Sequence, residues 1–125
     1  MNKANSVREL ETYQAAFLLQ QEIFKISKSF PKEENYSLTD QIRRSSRSIG
    51  ANLSEAWAKR RYPAHFLSKL TDSDGELQET QHWLATAQAC NYIDSSQSNS
   101  LQDNAASIGR QLGSMIIHYK SFCFQ

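Results

Sequence analysis

The sequence predicts an all-α protein, a single domain over 1–125 folded as an antiparallel, up-down-up-down four-helix bundle. Three observations carry that reading. Apolar residues recur at helical spacing along the whole chain, with no sustained alternation of period two. Four Gly and two Pro leave few turns, so the helices must be few and long. A chain of 125 residues with 39% hydrophobic and 22% charged side chains has the composition of a folded domain with one core.

The first helix is predicted over 6–29. It opens with Ser6-Val7-Arg8-Glu9, a capping box in which Ser6 and Glu9 satisfy the first free amides. Leu10, Tyr13, Phe17, Phe24 and Phe30 form its stripe, widened by Leu18, Leu19, Ile23 and Ile26, and Pro31 stops it. The second, over 37–60, starts at Ser37-Leu38-Thr39-Asp40, a Ser-x-x-acid cap signal. Its core face is Leu38, Ile42, Ser45, Ile49, Leu53 and Ala56. The third, over 63–91, begins at Pro63, whose missing N–H costs nothing in a first turn. Its stripe runs Phe66, Leu70, Ser73, Leu77, Thr80, Leu84 and Ala87. The fourth, over 96–122, follows the polar stretch 94–100 and presents Leu101, Ala105, Ile108, Leu112, Met115, Tyr119 and Phe122. Short connections between long helices make sequence neighbours antiparallel. Gly50, Gly75, Gly109 and Gly113 all fall inside helices, where each costs about 1 kcal/mol relative to Ala, and close helix approach is the predicted reason.

On the outer side of the second helix, Asp40, Arg43, Arg44 and Arg47 lead into Ala51, Ser54, Ala58 and Arg61. A solvated face carries long polar side chains throughout, whereas Ala51, Ser54 and Ala58 make a smooth strip suited to another subunit. A homo-oligomer is expected. Six of the 14 basic residues lie within 43–61, as Arg43, Arg44, Arg47 and Lys59, Arg60, Arg61. In a monomer these are ordinary helix electrostatics, with Asp40 pairing Arg43 or Arg44 and the second cluster facing a helix C-terminus. In an oligomer, symmetry repeats both clusters and can focus them into a positive ring that binds nucleic-acid phosphates. The alternative is a protein-interaction scaffold, with the arginines in intersubunit ion pairs to Asp72, Asp74 or Glu79. Only Trp57 and Tyr62 lie near the basic segments, which argues against a base-stacking platform. The net charge of +1 by itself identifies no partner.

No catalytic residue is nominated. Glu79-Thr80-Gln81-His82 is half of a di-iron Glu-x-x-His pattern, but neither His65 nor His118 completes it, so no metal or other cofactor is expected. No serine sits in a Gly-x-Ser-x-Gly elbow, and no glycine-rich loop is present. Cys90 and Cys123 belong to no ligand pattern and read as reduced thiols. A mean hydropathy of -0.62 and the lack of a long apolar run exclude a spanning helix. With no apolar leader at Met1-Asn2-Lys3-Ala4-Asn5-Ser6, a cytoplasmic, non-enzymatic protein is expected.

The pattern Phe30-Pro31-x-Glu33-Glu34-x-Tyr36-x-Leu38, followed by Gln41-Ile42-Arg43-Arg44-Ser45-Ser46-x-Ser48-Ile49-x-x-Asn52-Leu53-x-Glu55, resembles the four-helix-bundle family of 23S rRNA intervening-sequence proteins. Phe66, Leu70, Gly75, Leu77 and Glu79 extend the resemblance through the third helix. It implies a small bacterial bundle assembling into a ring, a pentamer, without established enzymatic activity. A related branch, the accessory protein of diversity-generating retroelements, associates with a reverse transcriptase and nucleic acid. By that likeness Arg43, Arg44 and Arg47 are the matching basic positions, while Asn52, Glu55 and Glu79 are structural polar residues, the first two hydrogen-bonding across the bundle or a subunit boundary. Two positions depart from the family pattern: Ala56 replaces the usual glycine and Glu76 the usual serine.

Overall fold

Helix boundaries follow from where the end amides find partners. The computed structural model describes residues 4–125, so residues 1–3 of the amino-terminal segment considered above lie outside it. A 3-10 turn at Val7–Glu9 precedes four helices, α1 (Glu11–Ser27), α2 (Leu38–Ala58), α3 (Pro63–Ala89) and α4 (Ser95–Ile117). Further 3-10 turns occupy Lys32–Glu34 and Tyr119–Phe122, and no strand occurs among the described residues.

The first helix is shorter than its predicted 6–29. The Glu9 carboxylate does accept the Ser6 N–H at 3.0 Å, and that of Asn5 at 2.7 Å, but it closes only the 3-10 turn. Leu10 is extended, with φ -73 and ψ 129, and α1 starts after it. Of its predicted stripe, Leu10, Leu19, Ile23 and Phe30 are buried and Tyr13 and Ile26 pack against the core. Thr12, Ala16, Leu19, Ile23 and Ser27 are buried, whereas Phe17 is 47% and Leu18 59% exposed.

Ser37 precedes α2 as predicted, yet its side chain makes no capping bond. Glu34 fills that role, accepting the Leu38 N–H at 3.2 Å while its other oxygen takes the Tyr92 hydroxyl at 2.9 Å. Pro63 opens α3 as expected. The polar stretch 94–100 lies at the start of the fourth helix rather than ahead of it. Asp94 caps it, accepting the Gln97 N–H at 2.8 Å while Gln97 returns a bond to the Asp94 N–H at 3.0 Å. The turn before it places Asn91 at φ 64, a left-handed conformation that asparagine tolerates. At its far end α4 stops at Ile117, short of the predicted 122.

The predicted core faces of α2 and α3 are buried in full, and so are Leu101, Ala105, Ile108, Leu112 and Met115 of α4. Contacts run from α1 to α2, α2 to α3, α3 to α4, and α4 back to α1. Polar bonds set the register of α2 on α3. The Ser73 hydroxyl donates to the Ile49 carbonyl at 2.8 Å, and Thr80 Oγ1 lies 2.9 Å from both Ser45 Oγ and the Glu76 carbonyl. Arg44 pairs with Glu79, and Glu55 with Lys69 at 3.6 Å, so numbers rise on α2 as they fall on α3.

Close approach does not explain the four glycines. A Cβ at Gly50 would meet the Tyr13 ring at 3.5 Å, and one at Gly109 would meet Leu77 at 3.4 Å, both ordinary contacts. At Gly75 and Gly113 nothing lies within 4 Å. Packing inside the chain therefore requires glycine at neither of the latter two.

Candidate nucleic-acid interface

The six basic residues of α2 and its end have three distinct environments. Arg44 is turned towards α3, where it bonds Glu79, lies 3.5 Å from Glu76, and has Gln41 at 3.5 Å. The hydrogen bond it donates to Glu79 raises its pKa. Glu79 in turn is held below the usual glutamate range, first by the Trp83 indole N–H at 3.0 Å and then by Arg44, against the opposing effect of burial. Glu79, the carboxylate of the Glu-x-x-His, is thus committed to an ion pair, while exposed His82 packs edge-on against Trp83. Among the described residues no group of His, Cys, Asp or Glu side chains is placed to hold a metal ion.

Arg60 is also engaged within the chain. Its guanidinium lies 3.7 Å from the Trp57 ring centre and 4.7 Å from that of Phe124, and Nε donates to the Trp57 carbonyl at 3.0 Å. Burial lowers its pKa. The chain end is tied to the same place by the Phe124 N–H, which donates to the Arg60 carbonyl at 3.2 Å. Lys59 and Arg61 beside it are exposed.

Arg43 and Arg47 face α1. Their guanidinium carbons lie 4.8 and 5.4 Å from the centre of the Phe24 ring, and Lys28 Nζ lies 4.7 Å from the same ring. Arg43 Nε donates to Ser27 Oγ at 2.8 Å. Asp40 does not hold these arginines as predicted, since Arg43 turns to Ser27 and Arg44 to Glu79. The aromatic partners of the basic clusters are therefore Phe24 and Phe124 as well as Trp57. Sequence reasoning found only the last, because the other two come from elements distant along the chain. The one signal available was the i, i+4 spacing of Phe24 and Lys28.

Ala51 and Ala58 are exposed, and half-buried Ser54 donates to the Gly50 carbonyl at 3.1 Å, so the strip on α2 is smooth. Asn52 bonds only within its own helix, to the Ser48 carbonyl at 2.9 Å, rather than across the bundle. Glu55 does cross to α3, as an exposed ion pair with Lys69. Lys69 also lies 3.8 Å from Asp72, so Asp72 and Glu79 already have cations within the chain. Between α2 and α3, Asn52, Thr71, Asp72, Gly75, Glu76 and Glu79 line an open groove, and the inner oxygen of Glu76, Oε1, has no partner there. No helix among the described residues is long and apolar enough to cross a membrane.

A comparison with curated proteins returns no match. Among solved structures, the chain is similar to a protein of unknown function from the S23 ribosomal protein family of Bacteroides thetaiotaomicron, determined at 1.70 Å resolution. The two share 28% identity at a TM-score of 0.76, over 84% of this chain and 97% of the other. The model of the 23S rRNA-intervening sequence proteins matches residues 8–114, a span that includes the helices whose motifs suggested it, and the chain belongs to that family.

Proposed function

We propose that this chain is a non-enzymatic, homo-oligomeric up-down-up-down bundle that associates electrostatically with nucleic acid through the basic surface of α2. The observation that supports the reading best is the state of its cations. Arg43, Arg47 and Lys28 crowd one aromatic ring, and no carboxylate pairs with them among the described residues. Lys59 and Arg61 add two exposed charges near the end of the same helix. Such a surface gains by releasing counterions from a phosphate backbone and has little means of reading sequence. Arg44 and Arg60 support the surface from within rather than contacting phosphate.

The oligomer, in number a pentamer by family resemblance, is supported by the smooth strip of Ala51, Ser54 and Ala58 and by the open groove at Gly75. That groove also favours a second reading. Its acidic rim suits a cationic side chain from a partner protein or another copy. Gel-shift assays with structured RNA and duplex DNA of unrelated sequence separate the two readings. Nucleic-acid association predicts comparable shifts for both, weakened in an Arg47→Ala/Arg61→Ala variant. No shift at low salt would leave the scaffold reading.

A further inference from the structure

The outer face of α2 carries a shallow depression whose lining includes Asn35, Thr39, Asp40, Arg43 and Arg47. Thr39 is only 5% exposed, yet its hydroxyl has no hydrogen-bond partner. A buried hydroxyl left unbonded is costly, and a small outward turn of this side chain would let it donate a hydrogen bond to an anion held by the two arginines. Arg43 is fixed through Nε on Ser27 Oγ, which itself donates to the Phe24 carbonyl at 3.0 Å. Its two terminal nitrogens have no partner among the described residues and form a free donor pair. The Phe24 ring holds Arg43, Arg47 and Lys28 within 4.7–5.4 Å of its centre, against their mutual repulsion. Three cations held this close, without an ion-pairing carboxylate, raise the local potential for a multiply charged anion.

We propose that this depression is a phosphate site, with Arg43 and Arg47 as donors, Thr39 as a donor once its side chain turns outward, Lys28 as a flanking charge and Phe24 as the positioning residue. The inference deepens the nucleic-acid reading, since a backbone phosphate is the occupant the surface would meet. It moves the site from an arginine row on one helix to a cluster built by α1 and α2. Asp40 lines the same depression and opposes an anion there, so its neutralisation should tighten binding.

The test is a titration of the full chain with inorganic pyrophosphate, followed by NMR of the arginine Nε–H signals, with anisotropy of a labelled RNA duplex in parallel. Pyrophosphate is expected to move the Arg43 and Arg47 signals and to leave that of Arg60 in place. Asp40→Asn, an exposed change, should tighten binding roughly threefold or more. Lys28→Gln should weaken RNA binding and lower the slope of log affinity against log salt by about 1. Phe24→Leu should weaken both, with thermal melting to establish that it folds. Unmoved Arg43 and Arg47 signals would overturn the site, and if RNA still bound, the wider nucleic-acid reading would stand without it. Moved signals with no RNA binding would keep the site for free phosphates and remove the nucleic-acid reading. Loss of the oligomer in Lys28→Gln, with the pyrophosphate response unchanged, would make the cluster a subunit contact and overturn the proposal.

Discussion

Tyr92 shows what one hydrogen bond does at the residue scale. Its hydroxyl donates to Glu34, and that bond first, with burial second, pushes its pKa up to about 12 from 10.0. Because the folded value lies above the ordinary one, the stabilisation is complete below pH 10 and is lost as pH rises through about 12. Ultraviolet titration of the folded protein should show a late-titrating tyrosine that disappears in Tyr92→Phe and moves earlier in Glu34→Gln. An unchanged curve in Tyr92→Phe would contradict the assignment. The two thiols should separate as clearly. Cys123 is buried, and burial raises its pKa despite the nearby Arg60, whereas Cys90 is exposed. Only the thiolate reacts, so iodoacetamide near neutral pH should modify Cys90 well before Cys123, as read by mass spectrometry. None of these partnerships was legible in the sequence. Glu34 and Tyr92, like Arg60 and Phe124, are joined only when distant segments close on one another.

Elements were legible to the extent that their own periodicity encodes them. The stripes of α2 and α3 are unbroken four–three spacings ending in well-marked turns, and the structure buries those residues. In α1 the same rule held only in part, with Leu19 and Ile23 buried as predicted, because hydrophobicity and burial part company at Thr12 and Ser27, which are inside, and at Leu18, which is outside. At the start of α4 a serine-rich stretch concealed a capping box. Asp94→Ala should therefore cost about 1 kcal/mol by chemical denaturation, as expected for loss of an N-cap, and an unaffected midpoint would contradict the capping role. Between α2 and α3, the Glu79 carboxyl is held below its ordinary 4.5, chiefly by Trp83. That stabilisation is complete above pH 4.5 and is lost as acid carries the pH down through the folded value. Melting temperature against pH should fall less steeply in acid for Glu79→Gln than for the wild type.

At the scale of the whole molecule, the fold class and family were readable because four helical patterns and one motif-rich segment span most of the chain. The surroundings of the six basic residues were not, because Phe24 reaches Arg43 and Arg47 from α1 and because Arg44 and Arg60 are spent on contacts inside the chain. Gly75 joins the two scales. Nothing lies within 4 Å of a Cβ there, so Gly75→Ala should stabilise the isolated chain by about 1 kcal/mol through helix propensity alone. If a second copy fills the groove, the same change should lower the oligomer mass measured by light scattering.

The central claim, phosphate binding by a basic two-helix surface, is tested most directly by fluorescence anisotropy of labelled duplex RNA across a salt series. The account predicts a linear fall of log affinity with log salt between about 50 and 200 mM, and a shallower slope once Arg43 and Arg47 are replaced by alanine. Binding that ignores salt, or no binding at the lowest salt, would contradict it.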